Sequence, residues 1–196
     1  FLQHLRNYEY TWDSVLSNEH QQQWSKIVED TNRFQANIPR EIIQIGVTTK
    51  LVLFAEASKE CMTTCAYIVS NNESQLLTGK SRLLSRKDNP TIPKFELNAL
   101  TMATRLAQSI HGALKSHTII TDIIIFSDSE IALNWIRSQK ATNSYGTLIK
   151  NRIKEIRQIV EKLPTPIQFG YIDTNHNPAD CATRGLSKYE LENHMW

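Results

Sequence analysis

The sequence lacks the features that mark several specialised classes of protein. No uninterrupted apolar run approaches the roughly 18–20 residues of a membrane-spanning helix, so a membrane protein is not expected. Hydrophobic residues make up 40% and charged residues 21% of the 196 residues, which is typical of a globular domain and excludes a disordered or collagen-like chain. The length suggests about one domain with a small appendage. The first residue is Phe rather than Met, so we expect a piece of a longer protein.

Cysteine is also scarce. The three cysteines are Cys61, Cys65 and Cys181, and an odd, sparse count favours a reducing, intracellular compartment. Cys61 and Cys65 are four residues apart, which is not the spacing of a zinc site, and no histidine lies near them. We therefore interpret all three as small buried or half-buried thiols.

Residues 1–41 are predicted to form a helical connecting segment, separate from a main domain at residues 42–196. Leu2, Leu5 and Tyr8 fit one short helical face. Trp24, Ile27 and Val28 fit a second face, which Ser17-Asn18 precedes as a candidate cap. The segment ends at Ile38-Pro39-Arg40.

The main domain is predicted to be α/β. Its candidate strands are short apolar runs: Ile42–Val47, Leu51–Ala55, Cys65–Ser70, Gln75–Leu84, Asp122–Ser127 and Ile167–Ile172. Its candidate helices run from a Thr91 cap to about Leu114, from Ser129 to about Gln139, over Leu148–Leu163, and from Asn177-Pro178 to Gly185. The apolar strand Asp122–Ser127 is expected to be buried on both faces. Antiparallel strands followed by alternating elements indicate a mixed sheet with helices on its faces.

Four acidic residues stand at the ends of these elements. Glu56 follows a strand on the apolar side, Glu96 shares the apolar face of the long helix, and Asp128 ends the most apolar strand. Asp180 is predicted to be the third residue of the last helix. Each acid alone also fits a structural role, as a strand-end charge, at a helix dipole, or in a capping box with Asn177.

Together the four acids point to a metal site, because all are expected at one end of the sheet. Clustered carboxylates repel one another, and burial raises their pKa values, so such a cluster is tolerable mainly when a cation fills it. Oxygen ligands without His or Cys suit Mg²⁺ or Mn²⁺. Two such ions, about 3.5–4 Å apart, would activate water and stabilise the leaving oxygen in phosphodiester hydrolysis.

At these acids the sequence resembles a known family. The motifs that carry the resemblance are Phe54-Ala-Glu-Ala-Ser58, Ile92-Pro-Lys-Phe-Glu-Leu97, Phe126-Ser-Asp-Ser129 and Asn177-Pro-Ala-Asp-Cys-Ala-Thr-Arg-Gly185. In this order they resemble the ribonuclease H domain of BEL/Pao-type LTR retrotransposon polyproteins, over about residues 42–190. Trp12-Asp13, Trp24 and Ile38-Pro39-Arg40 resemble the segment that joins reverse transcriptase to that domain.

The resemblance implies a five-stranded mixed sheet with helices on both faces and endonucleolytic hydrolysis of the RNA strand of RNA–DNA hybrids during reverse transcription. It implies two Mg²⁺ or Mn²⁺ ions held by Glu96, Asp128 and Asp180, with Glu56 at the position where the family usually has Asp. It also implies a reverse-transcriptase domain in the same polyprotein, no membrane partner, and a cytoplasmic (virus-like particle) or nuclear location.

Weaker expectations concern product release and hybrid binding. His176 precedes the last motif, where many ribonucleases H have a loop histidine that helps product release, although it also reads as an exposed loop residue. The net charge of +2 permits nucleic-acid binding without requiring it. The candidate phosphate contacts, which also read as an ordinary solvated surface, are Lys80, Arg82, Arg86, Lys87, Lys150, Arg152, Lys154 and Arg157.

Two further interpretations stay open. Glu56 is one methylene longer than the usual Asp, which favours a catalytically weak or inactive module that a host protein retains for binding protein or nucleic acid. An integrase or transposase of the same fold would place a Glu last, where this sequence has Asp180.

Overall fold

The computed structural model describes residues 1–32, 47–84, 91–138, 145–187 and 189–190. The residues divide into two compact units, Phe1–Ile38 with Leu186–His194 and Pro39–Gly185 with Met195–Trp196. The predicted boundary between residues 41 and 42 and the predicted strand at residues 42–46 lie outside the described residues. The division at residues 41 and 42 therefore stays a prediction. Within the described part of the chain, no helix combines the length and apolar character needed to span a membrane.

The first unit contains the two predicted helices, α1 (Leu2–Leu5) and α2 (Asn18–Thr31). The hydroxyl of Ser17 accepts a hydrogen bond from the His20 N–H and so caps α2. His20 is buried, with its ring 4.6 Å from that of Tyr8 and 5.6 Å from that of Tyr10. A small aromatic cluster thus holds the start of α2.

The main unit begins with an antiparallel meander of three strands, β1 (Thr48–Ala57), β2 (Cys61–Ser70) and β3 (Glu73–Leu83). Asn71 and Asn72 turn the chain between β2 and β3 with φ angles of 52° and 65°. Asparagine tolerates this left-handed region better than most residues. The predicted turn is confirmed, and each strand is longer than its apolar run because edge and surface positions carry polar side chains.

The chain then alternates between helices and parallel strands. The elements are α3 (Ile92–Leu114), β4 (Ile119–Ser127), α4 (Glu130–Arg137), α5 (Thr147–Lys162) and β5 (Ile167–Tyr171). β4 pairs parallel with β1, and β5 pairs parallel with β4, so the sheet order is β3-β2-β1-β4-β5. This mixed five-stranded sheet with helices confirms the predicted α/β fold class.

The hydrophobic core lies between one face of the sheet and the helices α3, α4 and α5. Leu51 and Leu53 of β1 and Ile123 and Ile125 of β4 are fully buried there. The prediction that β4 is buried on both faces was wrong. Over the predicted range, residues 122–127, half-buried and buried positions alternate, because the long helices cover only one face of the sheet.

The opposite face carries aromatic rings. Phe54 stacks on Phe126 with 5.5 Å between ring centroids, and its edge-on contact with Tyr67 is 5.8 Å. Ala179, from the segment after β5, packs against this side. A Cβ at position 170 would lie 2.6 Å from the Phe126 ring, so a larger residue there would require the ring to shift.

Candidate active site

Three of the four predicted acids converge at one end of the sheet. One ligand oxygen each of Glu56, Glu96 and Asp128 lies within 4.8 Å of the others. Phe54 of β1 pairs with Phe126 of β4 in the parallel register, so the residues two positions further on reach the same edge of the sheet. The first turns of α3 bring Glu96 to the same point.

Glu56 and Glu96 are both buried, with exposed fractions of 7% and 4%. Glu96 Oε1 accepts a hydrogen bond from the Ala57 N–H at 3.1 Å. Its second oxygen, Oε2, is buried and has no hydrogen-bond partner among the described residues. A buried carboxylate oxygen without a donor is costly to the fold unless a proton or a cation satisfies it.

The pKa values of the two glutamates also indicate that the cluster needs protons or a cation. Burial, followed by the charge of Asp128, raises the pKa of Glu56 to about 8. Burial, followed by the charges of Glu56 and Asp128, raises the pKa of Glu96 to about 9. Both groups therefore hold protons at neutral pH unless a cation replaces them. The all-oxygen donor set and the unsatisfied Glu96 oxygen fit Mg²⁺ or Mn²⁺.

Asp180 lies at the margin of this cluster. Its charge contributes to the raised pKa of Glu56, but it is not one of the three acids within 4.8 Å. Its Oδ1 accepts a hydrogen bond from Arg184 Nε at 2.9 Å. The prediction that Asp180 is the third residue of a helix was wrong, because α6 begins one residue later and spans Cys181–Arg184. Residues 177–180 instead form a turn, in which the Asp180 N–H donates to the Asn177 carbonyl at 3.0 Å.

The alternative structural role for Asp180, a capping box with Asn177, is not formed. Asn177 Oδ1 accepts from the Ala179 N–H at 3.1 Å, and the Asp180 side chain makes no capping hydrogen bond at α6. The Thr91 hydroxyl likewise makes no cap at α3, where a proline occupies the first turn.

Three residues with contacts in the site were not assigned to it from the sequence. Thr174 Oγ1 donates a hydrogen bond to Asp128 Oδ2, and Asn177 Nδ2 donates to Glu56 Oε2 at 3.0 Å. Arg184 lowers the pKa of Glu56 through its charge. The sequence signal for Asn177 and Arg184 is their place in the motif around Asp180, whereas Thr174 has none.

The histidine and the candidate phosphate contacts lie in different surroundings. The side chain of His176 is 73% exposed, and its Nδ1 is 3.9 Å from Asp173 Oδ1. Lys80 and Arg82 are exposed on β3, whereas Arg86 and Lys87 lie outside the described residues.

The basic side chains of α5 divide into two kinds. Arg152 donates to Asn98 Oδ1 at 2.7 Å, and Arg157 donates to the Ser138 carbonyl at 2.6 Å. Lys150 is half-buried and Lys154 is exposed. The outer face of α5 is therefore less basic than its sequence suggests, because two arginines bind groups within the domain.

A comparison with protein families shows which family this chain belongs to. The family model described as Pao retrotransposon-like RNaseH-like domain matches residues 1–129. The chain belongs to this family. The matched range contains Glu56, Glu96 and Asp128 and ends before Asp180. No curated protein sequence matches the chain.

Solved structures with a similar fold include two of a foamy viral protease-reverse transcriptase in complexes with double-stranded DNA. One, named dRH, has 19% identity and a TM-score of 0.55 over 88% of this chain and 27% of that chain. The other has 18% identity and a TM-score of 0.54 over 88% and 33%. RNase H1 from Halobacterium salinarum NRC-1 has 13% identity and a TM-score of 0.49 over 75% and 99%. At such low identity the two foamy viral similarities concern the fold alone, and the family description gives that fold as RNaseH-like.

Proposed function

We propose that this domain hydrolyses the RNA strand of RNA–DNA hybrids with two Mg²⁺ or Mn²⁺ ions during retroelement reverse transcription. The observation that carries the proposal is the meeting of three carboxylates, two of them buried, within 4.8 Å at the end of parallel strands. Family membership adds the retroelement context. Acidic clusters of this burial are unfavourable for a purely structural role, because the charged forms repel and the neutral forms need hydrogen-bond partners.

Glu56, Glu96 and Asp128 would hold one ion, and Asp180 would join them in holding a second. Bound Mg²⁺ or Mn²⁺ supplies a nucleophilic water and charge stabilisation at the phosphate. The protein's own residues fix the ligand positions. Thr174 holds Asp128, Asn177 holds Glu56, and the Ala57 N–H holds Glu96. Ligands oriented by such partners bind metal more tightly than free side chains do.

A cleavage assay tests this proposal. The labelled substrates are an RNA–DNA hybrid, double-stranded RNA and double-stranded DNA, each incubated with Mg²⁺, Mn²⁺ or EDTA. We expect cleavage of the RNA strand of the hybrid only, dependent on the metal, and a large loss of activity for Asp180→Asn. Metal-independent cleavage, or equal cleavage of all three duplexes, would refute the proposal.

Glu56 favours a second candidate function, because it stands at the position where the family usually has Asp. In that case the domain would bind protein or nucleic acid without cleaving it. Hybrid binding with no cleavage at any concentration of Mg²⁺ or Mn²⁺ would support this candidate over the first.

The surface for hybrid binding is proposed to include Lys80 and Arg82. In the sheet Glu56 pairs with Thr63, which pairs with Ser81. Lys80 and Arg82 flank Ser81, two strands or about 10 Å from Glu56, but successive residues of a strand alternate in face, so their side chains project to the other face of the sheet from Glu56. The proposed contact is therefore with a hybrid that passes along the exposed edge of β3. A role for His176 in product release, a reverse-transcriptase partner and an intracellular location belong to the same proposal.

The double change Lys80→Gln and Arg82→Gln is expected to weaken hybrid binding about 3- to 10-fold at moderate salt. The slope of log Kd against log salt should decrease by about 1–2, because one counterion is released per phosphate contact. Fluorescence anisotropy of a labelled hybrid at several salt concentrations measures both quantities.

Lys162→Gln is the matched control. Lys162 is exposed and ends α5, close in sequence to the start of β5 and thus at the end of the parallel strands opposite to the acids. Its removal should leave the salt slope unchanged. An equal effect of both changes would mean that the hybrid does not follow β3.

A further inference from the structure

Asn177 is buried, with an exposed fraction of 4%, and its side chain makes three hydrogen bonds. Nδ2 donates to the Ala55 carbonyl at 3.2 Å and to Glu56 Oε2 at 3.0 Å. Oδ1 accepts from the Ala179 N–H at 3.1 Å. The amide is thus fixed between the backbone of β1 and the turn before Asp180, with one donor hydrogen directed at the Glu56 carboxylate.

We propose that Asn177 is a positioning residue that orients the Glu56 carboxylate toward a bound cation. Its amide holds Oε2 and thereby sets the rotamer of the longer side chain, so that the carboxylate is presented to a cation without sampling other rotamers. This inference rests on the proposed function, since it specifies how one ligand of that site is oriented.

The position of Asn177 is fixed by more than its own hydrogen bonds. Thr63 Oγ1 donates to the Ala179 carbonyl at 2.7 Å and joins this segment to β2. Thr174, one 3-10 turn earlier, donates to Asp128. The segment that carries the amide is therefore anchored to β2 and to Asp128. Glu56→Asp would withdraw the carboxylate by about one C–C bond, roughly 1.5 Å, which takes Oε2 beyond hydrogen-bond distance of Nδ2.

A double-mutant cycle on Mn²⁺ affinity tests this inference. The four proteins are wild type, Asn177→Ser, Glu56→Asp and the double variant, with Mn²⁺ binding measured by calorimetry. Serine can still accept from the Ala179 N–H but cannot reach Glu56. We expect Asn177→Ser to weaken Mn²⁺ binding about 10-fold with Glu at position 56, as is typical for loss of a partner that orients a ligand. With Asp at position 56 we expect less than about a 3-fold effect, because the contact is already lost.

The double-mutant cycle distinguishes a role of Asn177 in orienting Glu56 from a general role in stabilising the turn before Asp180. The same loss in both backgrounds would show that Asn177 acts through the turn and Asp180, and would overturn the inference, as would no loss in either. If wild type binds no Mn²⁺, the proposed function and this inference both fail. If wild type binds Mn²⁺ and cleaves the hybrid but the coupling is absent, the inference alone fails. Should Asn177→Ser not fold, as judged by circular dichroism, Asn177→Thr also keeps a hydroxyl acceptor for the Ala179 N–H and adds no charge, and the same coupling is required of it.

Discussion

Asp128→Asn is expected to lower kcat/KM for hybrid cleavage by about 10³-fold or more while leaving the fold intact. Asn has the same size as Asp and can still accept the hydrogen bond from Thr174, so the local structure has no reason to change. It lacks the charge that a metal ligand supplies. Loss of the several kcal/mol of transition-state stabilisation that a bound metal supplies corresponds to that fold-change.

The same change should not reduce the stability of the metal-free protein. Asp128 raises the pKa values of both Glu56 and Glu96 through its charge. Removing that charge relieves the repulsion, so the melting temperature measured in EDTA should stay constant or rise. Asp122→Asn is the control on the same strand, since Asp122 pairs with Lys50 at 3.9 Å at the other end of β4. It should leave cleavage unchanged. A melting temperature several degrees lower for Asp128→Asn would instead indicate a structural acid.

The second large effect concerns the pH dependence of the metal-free protein, whose free energy of unfolding should fall as pH rises from about 5 to about 9. The pKa of Glu96 is raised to about 9 and that of Glu56 to about 8, both from an ordinary value of 4.5. Between the ordinary and the raised values the folded protein keeps protons that the unfolded chain has lost. The slope is therefore negative, and it levels off above the raised values.

Glu96→Gln tests this pH dependence, because an amide does not titrate. The variant should be more stable than wild type at pH 8–9 and should show a shallower slope in urea unfolding measured in EDTA. Mn²⁺ should stabilise wild type at high pH by replacing the protons, with measurable proton release on binding near pH 7. It should stabilise the variant far less.

Glu155→Gln is the control for the sign of this effect. Hydrogen bonding to Arg105 lowers the pKa of Glu155, so its stabilising contribution is present above the ordinary pKa and is lost as pH falls. The change should leave the slope above pH 6 as in wild type. Equal slopes for wild type and Glu96→Gln would refute the raised pKa of Glu96.

Much of the architecture could be predicted from local patterns. The 3.6-residue periodicity of α3 and α5, the Ser17 and Ser129 caps and the Asn71-Asn72 turn each depend on neighbours within one element. The prediction that β4 is buried on both faces was wrong for a related reason. An apolar run predicts a strand, but it does not show whether helices cover one face of the sheet or both.

The sequence by itself placed Glu56, Glu96 and Asp128 at element ends and so predicted that they meet. Each acid stands at a strand end or a helix start on an apolar side, and the parallel pairing of β1 and β4 brings such positions to one edge. What only the tertiary structure decided is how each acid is held. Thr174 and Asn177 lie 46 and 121 residues from the acids they bind, and the pairing of Asp180 with Arg184 depends on where α6 begins. No local periodicity encodes such contacts, because they form only when distant segments pack, and burial of Glu56 and Glu96 follows from the same packing.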